Sequence, residues 1–134
     1  YAVNENNYKG GYFLAKYLIA ENRNPEDIQR AIKILEILAN NGIAPAQYSL
    51  GKLHLKENDF VAQDLELGIK WIKKAAENDN VDAQMTLAEC YENGIGVTKS
   101  MYNAVTWYKK AAEQGSEEAE EKLMELEEYS STPY

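Results

Sequence analysis

The chain is poor in the residues that carry most enzymatic and metal chemistry. Its 134 residues include one cysteine, Cys90, and one histidine, His54. A single cysteine excludes an internal disulfide and any multi-cysteine metal site. A Ser-His-Asp arrangement would have to use His54, because no other imidazole is present. The sequence therefore predicts no catalytic residues, no metal site and no cofactor.

Long hydrophobic runs and positive charge are also scarce. No stretch of 18 apolar residues occurs, so no membrane-spanning segment is predicted. The 14 Lys and Arg against 22 Asp and Glu give a net charge of −8. Phosphates of nucleic acids and anionic membrane surfaces would be repelled, which disfavours both as partners. The charge favours another protein, of basic character, as the partner.

A signal peptide is not recognisable at the start of the chain. The sequence favours a cytoplasmic location and leaves a periplasmic or secreted one open. A periplasmic or secreted location remains open because the chain begins at Tyr1, and a removed leader would not be visible.

What the sequence has in abundance is a repeat of about 36 residues. Trp71 and Trp107 lie 36 residues apart, and so do the pairs Ala75-Ala76 and Ala111-Ala112. A fixed period of this length is typical of stacked helical hairpins. A leucine recurs at one position in the first helix of every copy: Leu14, Leu50, Leu87 and Leu123.

The hydrophobic pattern predicts an all-α fold, an α/α solenoid of antiparallel helical hairpins with about three and a half repeats and seven helices. No segment alternates in the manner of a strand. Asn24-Pro25 is a typical helix start, and Asn41-Gly42 and Gln114-Gly115 are typical helix ends. We expect first helices at about 6–20, 44–56, 81–93 and 117–129, and second helices at about 25–40, 65–78 and 100–114.

The hairpins are expected to form one domain over residues 1–129. The seven glutamates and one lysine of residues 117–128 are typical of a polar terminal cap. Small residues at Gly51 and Ala104 would let two helix backbones approach closely. The predicted units are hairpins at about 6–42, 43–79 and 80–115, a capping helix at 116–129 and a flexible tail at 130–134.

Three strings resemble the Sel1-like repeats, a subfamily of the tetratricopeptide-like superfamily. They are AQYSLGKLHL (46–55), GIKWIKKAAEND (68–79) and AVTWYKKAAEQG (104–115), with the turn GIGV at 94–97. The first copy departs from the pattern, because Ile34 stands where the others have tryptophan. The resemblance implies a right-handed arc of hairpins and an adaptor or scaffold role. In bacteria it also implies secretion-linked, host-contact or toxin-neutralising roles.

Residues that could suggest chemistry fit structural roles better. Cys90 and His54 lie on the helix stripes that face neighbouring helices, so we interpret both as packed side chains. Trp71 and Trp107 could form a cation-binding cage, but their place on the second helices favours core packing.

Two further segments have simple structural interpretations. Residues 94–97 lack the Gly-Lys-Ser/Thr sequence of a phosphate loop, which favours a plain turn. Residues 117–128 lack the alternating oxygen ligands and the glycine of a calcium loop, which favours a solvated helix face.

The resemblance also implies a concave groove lined by one face of each first helix. Spacings of three and four residues put each set of groove residues on one face. Lysines fall in the first two copies and glutamates in the last two, although solvated charges in chance order are the competing interpretation. The predicted contacts are Tyr12, Lys16, Tyr48, Lys52, Lys56, Met85, Glu89, Glu92, Glu121 and Glu125. Further members of these faces are Lys9, Ile19, Leu55, Asn93, Glu128 and Tyr129.

Three classes of function follow from the sequence. The first is a monomeric, non-catalytic adaptor whose groove takes a partner segment with acidic residues at one end and basic residues at the other. The alternative is an immunity-type protein that neutralises a basic toxin or effector in a tight one-to-one complex. An enzyme is disfavoured because no nucleophile, base and orienting acid can be assembled.

Overall fold

The structure, a computed structural model, describes residues 5–21, 24–58 and 61–131. These residues form seven α-helices and contain no strand, which confirms the predicted all-α solenoid. The first and last residues of the seven helices lie within two residues of the predicted helix ends. Of the predicted tail, residues 132–134 lie outside the described part. The helices are α1 (Glu5–Glu21), α2 (Pro25–Asn40), α3 (Ala44–Leu55), α4 (Leu65–Glu77), α5 (Val81–Asn93), α6 (Met101–Glu113) and α7 (Glu117–Ser131).

Local sequence explains where the helices begin. Five of them start on a polar side chain that accepts a hydrogen bond from a backbone N–H two or three residues later, which satisfies a donor the helix leaves unpaired. The Oδ1 of Asn80, for example, accepts from Ala83 N at 2.8 Å. The capping residues are Asn24, Asp64, Asn80, Ser100 and Ser116.

Each helix packs mainly on the helix that precedes it and the helix that follows it in the chain. Apolar side chains therefore bury themselves in clusters that join consecutive hairpins. Trp71 is 8% exposed and belongs to the cluster shared by the first two hairpins. Trp107, also expected to be mostly buried, is partly buried, more exposed than Trp71, and packs against two clusters.

Helices α3 and α4 touch through their backbones at two glycines. A Cβ on Gly51 would lie 3.0 Å from the carbonyl oxygen of Gly68, and a Cβ on Gly68 would lie 3.0 Å from the carbonyl oxygen of Gly51. Such contact requires that neither residue carry a side chain, as the small residue at Gly51 predicted.

Two buried glutamines join consecutive hairpins, a feature that was not predicted from the sequence. Gln84, only 2% exposed, donates from Nε2 to the carbonyl oxygen of Ala76 at 3.1 Å, and its Oε1 accepts from Gln114 Nε2 at 2.9 Å. One side chain thus connects α4, α5 and the end of α6. Gln47 repeats the arrangement one period earlier, with Ala39 and Asn78.

Replacing Gln84 with leucine is expected to lower the free energy of unfolding by about 1–3 kcal/mol, because it removes the buried amide from both partners. Equilibrium urea denaturation measures the change. Gln63→Leu is the matched control, since Gln63 is exposed and its amide donates to one carbonyl oxygen, that of Leu55 at the end of α3. The control should change stability by less than about 0.5 kcal/mol. Equal losses in the two variants would contradict a special role for Gln84.

Candidate partner-binding groove

A cleft of about 350 Å³ lies among the first helices of the last three copies, α3, α5 and the start of α7. Five of the ten predicted contact residues line this cleft, and the rest lie elsewhere. The five are Tyr48, Lys52, Lys56, Met85 and Glu89. The lining also includes five residues that were not predicted from the sequence: Val81, Asp82, Thr86, Ser116 and Glu118.

The α3 wall of the cleft is basic and partly aromatic. Lys52 holds its Nζ 5.2 Å from the centre of the Tyr48 ring, a cation–π contact that restrains the lysine while leaving the side chain exposed. Lys56 follows one turn later and is also exposed. This wall can therefore meet an acidic group without first breaking an internal ion pair to Lys52 or Lys56, since none is formed in the described residues.

The opposite wall is acidic. Asp82 and Glu89 of α5 and Glu118 of α7 line it. Burial, followed by the negative charge of Glu118, raises the pKa of Glu89, and Lys122 acts in the opposite direction. A cation that entered this side of the cleft would offset the same repulsion, so the wall favours a basic group.

The lining of the cleft also includes apolar side chains. Met85 is only 7% exposed, and Val81 and Leu55 are half-buried. A methionine can adjust its shape to an incoming side chain because it is unbranched and polarisable. The cleft therefore combines opposite charges with apolar side chains, one of which can adapt its shape.

The predicted contacts on α1 lie outside this cleft. Lys16 holds its Nζ 5.8 Å from the centre of the Tyr12 ring, so α1 repeats the tyrosine–lysine pair of α3. The hydroxyl of Tyr12 lies 3.5 Å from Ser49 Oγ, which connects α1 to α3.

The remaining predicted contacts belong to α5 and α7. The carboxylate of Glu92 accepts a 2.6 Å hydrogen bond from the Tyr108 hydroxyl of α6, so it lies within the hairpin and does not line the cleft. Glu121 and Glu125 are exposed on α7, and Glu125 lies 4.0 Å from Lys122 Nζ. The side chains of Glu128 and Tyr129 lie outside the described residues.

Asp82 and Glu118 could have been found from the sequence. They are 36 residues apart and occupy the same position in consecutive first helices. Both lie in the first turn of a helix, where an acidic residue also has a local explanation, because it interacts favourably with the helix dipole. Because the helix dipole already explains an acidic residue at these positions, their place in the cleft lining is hard to recognise from the sequence.

The residues with reactive side chains lie in structural positions. Burial raises the pKa of the Cys90 thiol to about 11, so the thiol stays protonated and is a weak nucleophile. His54 lies against the following loop, with Nδ1 3.3 Å from the carbonyl oxygen of Ala62. Across the described residues, no cluster of His, Cys, Asp or Glu could hold a metal ion, and no helix is long and apolar enough to cross a membrane.

A stack of antiparallel hairpins with a cleft along its first helices defines a class, the helical-repeat proteins that present an extended binding surface. The chain belongs to the Sel1 repeat family, whose model matches residues 12–43, 44–80 and 81–116. Sel1 repeat proteins bind other proteins and are typically non-catalytic scaffolds.

The similar proteins come from bacteria and animals. A Sel1 repeat protein from Oxalobacter formigenes is 33% identical, with a TM-score of 0.76 and 88% of both chains covered. A protective antigen of uropathogenic Escherichia coli with an SLR fold is 30% identical, with a TM-score of 0.75 over 86% of this chain and 24% of that one. DAP3-binding cell death enhancer 1 of Rattus norvegicus is 35% identical over 77 residues, which are 58% of this chain but only 14% of that protein.

Proposed function

We propose that this chain is an adaptor module that binds a segment of a partner protein along its first helices, with the α3–α5–α7 cleft at the centre of the binding site. The observation that supports this proposal is the opposite charge of the two cleft walls. Lys52 and Lys56 line one wall, and Glu89 lies on the other with Asp82 and Glu118.

The charges of the walls define the partner. Its segment carries an acidic side chain next to α3 and a basic side chain next to α5 and α7, with an apolar residue over Met85. Complementary charges set the direction of the segment and speed its encounter more than they increase its affinity. The groove continues over Tyr12 and Lys16 towards the first copy, and over Glu121 and Glu125 towards the last.

Exchanging the charges of the two walls tests the proposal. The double variant Lys52→Glu with Glu89→Lys keeps the net charge but presents the wrong sign to each end of the segment. In pull-downs from the source cell at low salt, binding of the partner is expected to weaken at least about tenfold, or ~1.4 kcal/mol. Quantitative mass spectrometry of the captured proteins measures the loss.

The control exchange is Lys70→Glu with Glu113→Lys, made at exposed positions of the second helices α4 and α6. It changes the same number of charges away from the cleft and should leave capture unchanged. A partner that binds both double variants as well as it binds the unmodified protein would refute the groove proposal.

The acidic character of the chain supports a second candidate, an immunity-type protein that neutralises a basic effector. The net charge is −8, and α7 begins with Glu117, Glu118 and Glu120. The same pull-down separates the two candidates. A single stoichiometric basic partner, released by high salt, would favour neutralisation, whereas several weaker partners would favour a scaffold.

A further inference from the structure

Glu89 is a half-buried carboxylate of the cleft that has no counter-charge at close range. It lines the α5 wall, opposite Tyr48, Lys52 and Lys56 of α3. In the part of the chain that the structure describes, no basic side chain forms an ion pair with it. Removing an ionised carboxylate from water costs free energy unless an opposite charge offsets the loss. A positive charge that reaches Glu89 therefore stabilises it.

Helix α7 adds to this imbalance. Burial raises the pKa of Glu89 most, and the negative charge of Glu118 on α7 raises it further. Lys122, also on α7, lowers that pKa by less than Glu118 raises it. The Nζ of Lys122 lies 4.0 Å from a carboxylate oxygen of Glu125, so its charge is shared between two glutamates. The α7 helix thus leaves Glu89 short of positive charge.

The neighbours of Glu89 on α5 and α6 do not correct the shortage. Asp82 lines the same wall, two helical turns earlier. Glu92 also raises the pKa of Glu89, and its own carboxylate already accepts the hydroxyl of Tyr108. Burial is the first cause that raises the pKa of both the Tyr108 hydroxyl and the Cys90 thiol, so these two groups stay neutral.

A proton and a cationic side chain would each neutralise this carboxylate, and both cannot do so at once. We propose that the two compete for Glu89, so that the cleft releases the basic side chain of its partner as the pH falls. This inference rests on the proposed function for the nature of the ligand. Because its pKa is raised, Glu89 takes up a proton in milder acid than an ordinary glutamate does.

The stability of the protein alone tests the first half of the inference. A carboxyl whose pKa is raised by folding favours the folded state at low pH, and this contribution is lost as the pH rises through the raised pKa. Glu89→Gln is neutral at every pH. It should therefore have a higher urea midpoint than the unmodified protein at neutral pH, and the difference should shrink in mild acid.

Glu36→Gln is the control for this measurement. Glu36 is exposed in the second helix α2, away from the cleft, so its replacement removes one negative charge without relieving a buried one. Its urea midpoint should follow that of the unmodified protein at each pH. Equal midpoints for Glu89→Gln and Glu36→Gln at neutral pH would show that Glu89 is not destabilising as a carboxylate, and would overturn the inference.

The second half is tested with acetyl-arginine amide, a probe that carries one guanidinium group and no carboxylate. The carboxyl carbon of Glu89, assigned by its absence from the spectrum of Glu89→Gln, and the methyl group of Met85 report on the cleft by NMR. The probe should shift both signals at neutral pH and lower the pH at which Glu89 titrates. Below that pH its affinity should fall about tenfold for each pH unit, the limit for competition with one proton.

Two results would contradict the competition. One is a Glu89 signal that titrates at or below pH 4.5, the ordinary value. The other is a probe affinity that is the same at every pH, or that is equal in the unmodified protein and in Glu89→Gln.

The failure of this inference can be told apart from the failure of the groove proposal. If Lys52→Glu with Glu89→Lys abolishes capture of the partner while the probe affinity does not change with pH, the groove stands and the competition is refuted. If the probe competes with the proton but the same double variant captures the partner normally, Glu89 binds free cations only. That result would refute both the groove and the release of a partner by acid.

Discussion

Truncating Trp71 to alanine is expected to lower the free energy of unfolding by about 3–5 kcal/mol. The indole is 8% exposed and packs in one cluster with Leu38 of α2 and Leu50 of α3, so its removal leaves a cavity where two hairpins meet. The loss is a large part of the stability of a small domain, which is commonly about 5–15 kcal/mol. Urea denaturation followed by circular dichroism measures it.

Trp107→Ala is the matched comparison, made at the equivalent position one repeat later. Trp107 is only half-buried, so its truncation removes fewer contacts and should cost less than that of Trp71. Because each repeat contacts only its neighbours, Trp71→Ala should also expose α1 and α2 to hydrogen exchange before the later helices. An unchanged denaturation midpoint for Trp71→Ala, or uniform exchange along the chain, would contradict this account of the core.

Replacing Gly51 with leucine is expected to destabilise the second hairpin by about 3 kcal/mol or more, at the upper end of the usual cost of overpacking. A Cβ alone would lie 2.8 Å from Ile72 Cγ1 and 3.0 Å from the carbonyl oxygen of Gly68. The second contact is with backbone, which cannot move aside as a flexible side chain can. The two helices would therefore have to separate along their length.

Gly10→Ala is the control for the Gly51 variant. Gly10 is also a helical glycine, but a Cβ there would have no neighbour within 4 Å. Alanine should then raise stability by up to about 1 kcal/mol, because it is the better helix former. Thermal and urea unfolding compare the two variants. A Gly51→Leu protein as stable as Gly10→Ala would mean that α3 and α4 do not touch at this glycine.

The groove illustrates how far periodicity can locate a candidate site. Met85 and Glu89 are four residues apart on one helix face, and both line the cleft. Glu92 shares that face in the sequence, yet its carboxylate bonds the Tyr108 hydroxyl of α6. Periodicity assigns a residue to a face, but the long side chain at the edge of that face takes whichever partner the neighbouring helix provides.

The buried polar contacts could not be predicted in the same way. Gln47 and Gln84 follow the repeat, so their recurrence is visible in the sequence. Their partners, however, lie on both neighbouring second helices, and the amide of Gln84 meets Gln114 thirty residues later. These side chains meet and are shielded from water only because the stacked hairpins pack at the right distance from each other.

The sequence by itself determined the seven helices and their repeat, because those depend on local signals: caps, helix-ending glycines and an apolar stripe of constant period. It could not determine the environment of each repeated residue. Leu14 and Leu87 occupy the same place in the motif, but one is 48% exposed and the other is completely buried. The difference arises because burial in a stacked protein depends on the helix that packs over a residue, and that helix belongs to the neighbouring repeat.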